Sequence, residues 1–227
     1  MGQVDRAVIL AAGMGTRLKW MTNQRPKALM HVAGEPAITH VIRRLVAQGI
    51  QQIAVNVHHH ADQLIDYLGD GSRFGCHICI SFEEELLDSG GGVKQALTKL
   101  PGDGLVLVHN SDVLADIDMQ RLAERVPENG SCIALVENPA HHRKGDFSLQ
   151  GSDVSMGGYD RLTFAGVSVW DAAVFESYEA GEVFSLARSI RENIAKTTCK
   201  GVVHHGYWFD IGRPADLLRA SRLIGRV

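Results

Sequence analysis

The sequence predicts an α/β fold, a three-layer αβα arrangement around a mostly parallel mixed sheet with a small β-rich lid. Three observations carry this expectation. Apolar runs of strand length alternate with amphipathic runs of helix length from residue 6 to about residue 110. Glycine or polar residues follow the apolar runs, at the strand ends where open α/β sheets bind ligands. After about residue 137 the rhythm shortens to alternating β-like pieces.

Taken in order, RAVILAAG reads as a buried first strand ending in a glycine turn. PAITHVIRRLVAQG reads as a helix, because Ile38, Val41, Ile42, Leu45 and Val46 form one apolar stripe between Pro36 and Gly49. QQIAVNV is a second strand, ADQLIDYLGDG a second helix closing on Gly69, and HICISFEE a third strand. SGGGVKQALTKL places Val93, Ala96, Leu97 and Leu100 on one helical face, and GLVLVHNSD is an apolar strand running into polar residues. Beyond residue 137, DFSLQG and RLTFAGVSVW read as strands. A helix near 182 to 195, a strand pair in GVVHHGYWFDIG and a helix from Pro214 complete the order. The expectation is one domain over residues 1 to 227, with halves meeting near residues 136 and 137.

Composition excludes several classes of function. The 227 residues are 45% apolar, enough for a full core. The formal net charge is −3 and no basic run exceeds two residues, so no nucleic-acid partner is expected. The first apolar stretch is too short to span a bilayer and lacks a secretory cleavage pattern, which predicts no membrane association and a cytoplasmic location. The four cysteines, at 76, 79, 132 and 199, are expected as thiols. Cys76 and Cys79 have zinc-like spacing, but no second pair completes a site.

The stretch LAAGMGTRLKWMTNQRPKALM, residues 10 to 30, has the character of a phosphate site. A P-loop needs a lysine and a hydroxyl at a spacing that the residues after Gly13 do not supply. A dinucleotide fingerprint needs a small third residue where Leu18 stands, and a helix starting at the glycines. What fits is a glycine loop that continues as an extended arm. It would bring Arg17 and Lys27 over a polyphosphate lying on the backbone N–H groups of residues 13 to 17.

With SGGGVKQAL, HNSDV and YWFDIGRPADL added in order, the pattern resembles the sugar-phosphate nucleotidyltransferases, the nucleotide-sugar pyrophosphorylases with a Rossmann-like fold. The resemblance spans residues 7 to 218. It implies attack by a sugar-1-phosphate oxygen on the α-phosphorus of a nucleoside triphosphate, with residues 1–136 as the nucleotide half and 137–227 as the sugar half and lid. It also implies Arg17, Lys27 and Asp112 as catalytic residues, and Mg²⁺ held by Asp112 and Asp210. The nucleotide would meet Ala11, Ala12, Gly13, Gly15, Thr16 and Glu83, and a ring would lie against Gly90, Gly91 and Gly92. The sugar would meet Asn110, His142, Gly145, Asp146 and Gly166.

YLGDGSRFG, ENPAHHRKGDF and LTFAGVSV are similar to members that use UTP and N-acetylmuramate 1-phosphate in peptidoglycan recycling. Members using GTP and mannose 1-phosphate are the alternative, and a non-catalytic sensor of nucleotide sugars is a third reading. A monomer or small homo-oligomer is expected. Two departures stand out: Ser111 replaces a common glycine, and the Glu-Lys-Pro element of larger relatives is missing, which leaves Arg143 or Lys144 as candidate contacts for the sugar phosphate. His58 to His60 match no standard ligand spacing and are expected at the surface or pocket edge.

Overall fold

Strand Arg6–Leu10 (β1) is buried along nearly its whole length and forms the axis of a computed structural model that describes residues 3–15, 22–100 and 102–224. Its alternation assigns Ala7 and Ile9 to one apolar core and Val8 to another, so each face of the sheet carries its own core. A small hairpin follows, His31–Val32 (β2) and Glu35–Pro36 (β3), and leads into the helix Ala37–Ala47 (α1). Gln52–Val57 (β4), Ala61–Leu68 (α2), His77–Phe82 (β5), Asp88–Leu97 (α3) and Leu105–Asn110 (β6) then alternate as expected. The chain continues through Val113–Ala115 (β7), Met119–Ala123 (α4), Ser131–Val136 (β8), Phe147–Gln150 (β9), Asp153–Ser155 (β10) and Arg161–Asp171 (β11). Leu186–Ala195 (α5), Cys199–Val203 (β12), Trp208–Asp210 (β13) and Pro214–Ile224 (α6) complete the order.

Nine strands form one mixed sheet in the order β5-β4-β1-β6-β11-β8-β12-β10-β9. The first four are parallel, the geometry that helical crossovers impose. β11 enters antiparallel between β6 and β8. β9 pairs with both β10 and the start of β11, so the far end of the sheet curls back on itself. Helices α1, α2, α4 and α6 cover one face, and α3 and α5 cover the other.

Two expectations change. The segment GVVHHGYWFDIG is not a self-paired hairpin: β12 runs parallel to β8, while β13 pairs with β7 in a separate two-stranded ribbon. The bend at His204 to Gly206 sends the two strands to different partners, and that division delivers Asp210 to the strand end carrying Asp112. The helix expected from residue 182 begins at Leu186, because the Ser185 side chain caps it by accepting from Arg188 N. Residues 182 to 184 instead lie against α3, where Phe184 O accepts from Gly90 N and Gly91 N at 2.9 and 3.1 Å.

Candidate active site

The carboxyl ends of the parallel strands build the site. β1 and β6 end in register, Leu10 beside Asn110, and Ser111 N donates to Leu10 O at 3.0 Å. The loop after β1 is fixed from its other flank by a residue on β4. Asn56 Oδ1 accepts from Ala11 N at 2.6 Å and from Ala12 N at 3.3 Å, while Asn56 Nδ2 donates to Glu83 Oε1 at 2.7 Å. Glu83 Oε2 accepts from Leu87 N at 3.0 Å. Glu83 is 1% exposed with both oxygens engaged; it braces the loop and the start of α3 and is also part of the wall of the cavity above the loop.

Gly92 accommodates that brace, since a Cβ there would stand 2.5 Å from Asn56 Nδ2 and 2.6 Å from Glu83 Oε1. A Cβ at Gly90 would strike the Phe184 ring, and one at Gly91 the Glu182 carbonyl. All three glycines are buried, and the cavity wall at this level is formed by Asp88, Ser89 and Val183. On their Cβ sides these glycines permit close packing.

A cavity of about 510 Å³ opens above the loop, lined by Ala11, Ala12, Gly13, Gly15, Lys27, Asn110 and Asp112 among others. Gly15 has φ +64°, and a Cβ there would press on Thr22 and Lys27, so the returning arm lies directly on the glycine loop. Thr22 Oγ1 donates to Gly15 O at 3.1 Å. The histidine turn secures the arm from behind. His60 Nε2 bonds Asn23 O at 3.1 Å, Gln63 Nε2 donates to Gln24 O at 2.9 Å, and His58 Nδ1 meets Glu83 O at 2.9 Å. Thr16 and Arg17 lie outside the described residues.

At the floor of the cavity Lys27 Nζ donates to Asp112 Oδ2 and lies 3.9 Å from Asp210 Oδ1. The three side chains are 11%, 18% and 19% exposed. The convergence follows from strand pairing: β7 and β13 set Val113 opposite Asp210, and Ile211 N donates to Asp112 O at 2.9 Å. Asp210 Oδ1 also accepts from Gly212 N at 2.8 Å. Two carboxylates brought to one ammonium by adjacent strands form an acidic pair that favours a cation. Their oxygen-only donor set fits a hard divalent ion such as Mg²⁺. Among the described residues no group of three or more His, Cys, Asp or Glu could hold a metal, so phosphate and water oxygens would complete the shell. Close by, His109 is fully buried, which lowers its pKa to about 4. It is neutral at physiological pH.

The residues expected around the sugar divide into two groups. Asn110 lines the first cavity. Gly166, at φ +77°, sits in a β-bulge of β11 whose register with β8 shifts between Phe164 and Ser168, and a Cβ there would stand 2.7 Å from Asn110 Nδ2. His142, Gly145 and Asp146 instead shape the loop after β8. Asp146 Oδ1 bonds His142 Nε2 at 2.8 Å, and its Oδ2 accepts from Phe164 N at 2.9 Å. Gly145 packs against Arg161 and Asn138. Asn138, which the sequence did not single out, ties this loop down by donating to Arg161 O at 2.8 Å and accepting from Thr163 Oγ1 at 2.8 Å. A second cavity of about 450 Å³ lies between this loop, residues 204 to 210 and α6, and Asp210 is part of its wall. Arg143 and Lys144 are exposed and line neither cavity; Arg143 Nε turns back to Ala140 O at 3.3 Å.

The family described as nucleotidyl transferase matches residues 6–147. The chain belongs to the nucleotidyl transferase family. It is similar, at 40% identity covering 97% of this chain and 98% of the relative, to the N-acetylmuramate alpha-1-phosphate uridylyltransferase of Neisseria meningitidis serogroup B. The protein of the same name from Caulobacter vibrioides is 34% identical over 95% of each chain. The mannose-1-phosphate guanylyltransferase of Mycobacterium tuberculosis is 31% identical over 96% of this chain and 64% of its own. Among solved structures, HddC from Yersinia pseudotuberculosis complexed with GMP-PN superposes with a TM-score of 0.81 at 25% identity, covering 97% and 100% of the two chains. This nucleotidyltransferase acts on a nucleoside triphosphate and a sugar 1-phosphate. No helix among its described residues is long and apolar enough to cross a membrane.

Proposed function

We propose that the chain transfers a uridylyl group from UTP to N-acetylmuramate 1-phosphate, giving UDP-N-acetylmuramate and pyrophosphate, in the cytoplasm and in the service of peptidoglycan recycling. The observation that carries the chemistry is that Asp112 lines one cavity, Asp210 lines the other, and Lys27 bridges them. A donor nucleotide in the first cavity and an acceptor sugar in the second meet at that point. The two N-acetylmuramate uridylyltransferases similar to this chain along nearly its whole length support the choice of substrates.

An acceptor phosphate oxygen attacks the α-phosphorus, and the bond from that phosphorus to the bridging oxygen of pyrophosphate breaks. The nucleophile is already an anion, so no general base is needed, and the neutral buried His109 is not called on. The barrier lies in bringing two anions together in line. The backbone N–H groups that Asn56 leaves exposed in the glycine loop orient the nucleotide, and Lys27 shifts from its carboxylate partners to phosphate oxygens. Arg17 supplies a second cation from the same arm. Asp112 and Asp210 would hold Mg²⁺, which when bound neutralises charge on the phosphate oxygens.

Pyrophosphate release over UTP or GTP, each with N-acetylmuramate 1-phosphate or mannose 1-phosphate, tests the reading. The highest kcat/KM is expected for UTP with the muramate. GTP with mannose turning over while that pair stays silent would reverse the assignment.

A further inference from the structure

The second cavity carries a feature that nucleotidyl transfer does not need. Its inner end is Asp210, beside Lys27, and its outer rim is His141 from the loop after β8, His205 from the bend before β13, and Arg219 from α6. All three rim residues are exposed, and they come from three separate elements. Arg219 is the one arginine or lysine among the residues lining this cavity, and among the described residues no hydrogen bond or ion pair holds its guanidinium. Glu137 and Asp216 line the same cavity and are suited to accept hydrogen bonds from sugar hydroxyls.

We propose that Arg219, assisted by His141 and His205, is a specificity-determining subsite that binds a carboxylate carried on the acceptor sugar. The proposal rests on the acceptor occupying this cavity. With its phosphate at the Lys27 end, the sugar ring extends outward, and a ring substituent reaches the rim. A planar guanidinium matches a carboxylate with two parallel hydrogen bonds, whereas a neutral hexose leaves it without a partner. N-acetylmuramate carries such a group on its lactyl ether. N-acetylglucosamine is the same sugar without it.

The test compares N-acetylmuramate 1-phosphate with N-acetylglucosamine 1-phosphate, using UTP, in wild type, Arg219→Ala and Arg219→Lys. In Arg219→Ala the KM for the muramate should rise about tenfold or more, the scale of one lost charge-assisted contact. The KM for UTP and turnover of the glucosamine acceptor should stay unchanged, and Arg219→Lys should recover part of the loss. An equal effect on both acceptors, or none on the muramate, overturns the proposal. So does a wild-type enzyme that uses the neutral acceptor as well as the acidic one, although nucleotidyl transfer then still stands. If neither acceptor turns over, it is the substrate assignment that fails. Binding of N-acetylmuramate followed by Trp208 fluorescence then decides the subsite: Arg219-dependent saturation supports it, and Arg219-independent or absent binding rejects it.

Discussion

Asp112, Asp210 and Lys27 form the smallest unit on which the chemistry depends, and their partial exposure leaves them open to ligands. Asp112→Asn should lower turnover by about 100-fold or more. It should move the thermal midpoint by only about 2–4 °C, because the isosteric amide keeps the packing and Asp210 still faces the Lys27 ammonium. Pyrophosphate release and a melting curve on the same preparation check both. Asn56→Ala should behave in the opposite way. It strips Ala11 N, Ala12 N and Glu83 of their shared partner in a buried site, so a loss of about 2–4 kcal/mol in urea unfolding is expected, with a raised KM for UTP. Unchanged stability would remove Asn56 from the brace. The sequence displayed Lys27, Asp112 and Asp210 because each stands in a distinctive motif. Asn56 was not legible, since one polar residue closing an apolar strand reads as ordinary punctuation, and nothing local shows that its amide reaches a loop 45 residues away.

Helix α3 shows how an element can be legible in the sequence while its tertiary contacts are not. Its apolar spacing was plain, but three consecutive glycines fit a ligand-facing turn as well as a close helix contact. The tertiary partner is visible only in the fold: residues 182 to 184, distant in the chain, press their backbone and the Phe184 ring onto Gly90 and Gly91. The Phe184 ring in turn stacks on Tyr178 at 3.9 Å between centroids. Gly91→Ala should therefore destabilise the protein by about 1–3 kcal/mol through overpacking, despite the better helix propensity of alanine. Equal or greater stability in urea unfolding would show that the segment yields freely. The same limit explains why β12 and β13 were misread as partners. Both are short and adjacent in sequence, and only the separate pairings with β8 and β7 draw them apart.

Across the whole molecule, the alternation of the first 110 residues predicts the parallel half of the sheet, whereas the antiparallel insertion of β11 and the curl of β9 depend on pairings no local pattern encodes. The buried cores also carry a pH dependence. The folded-state pKa of His109, about 4, is below the 6.5 of an exposed histidine, so the folded protein binds fewer protons between those values. Its contribution is fully present above about pH 6.5 and is lost as pH falls toward 4, a decline of about 3 kcal/mol. Urea midpoints from pH 8 to pH 4 should fall more steeply in wild type than in His109→Asn, and parallel profiles would contradict this. The layout in which two cavities meet at one acidic pair is tested most directly by Mn²⁺ titration followed by electron paramagnetic resonance in the presence of UTP. The account predicts saturable binding of Mn²⁺ by wild type that is weakened in both Asp112→Asn and Asp210→Asn. Mn²⁺ binding that survives both substitutions unchanged would contradict it.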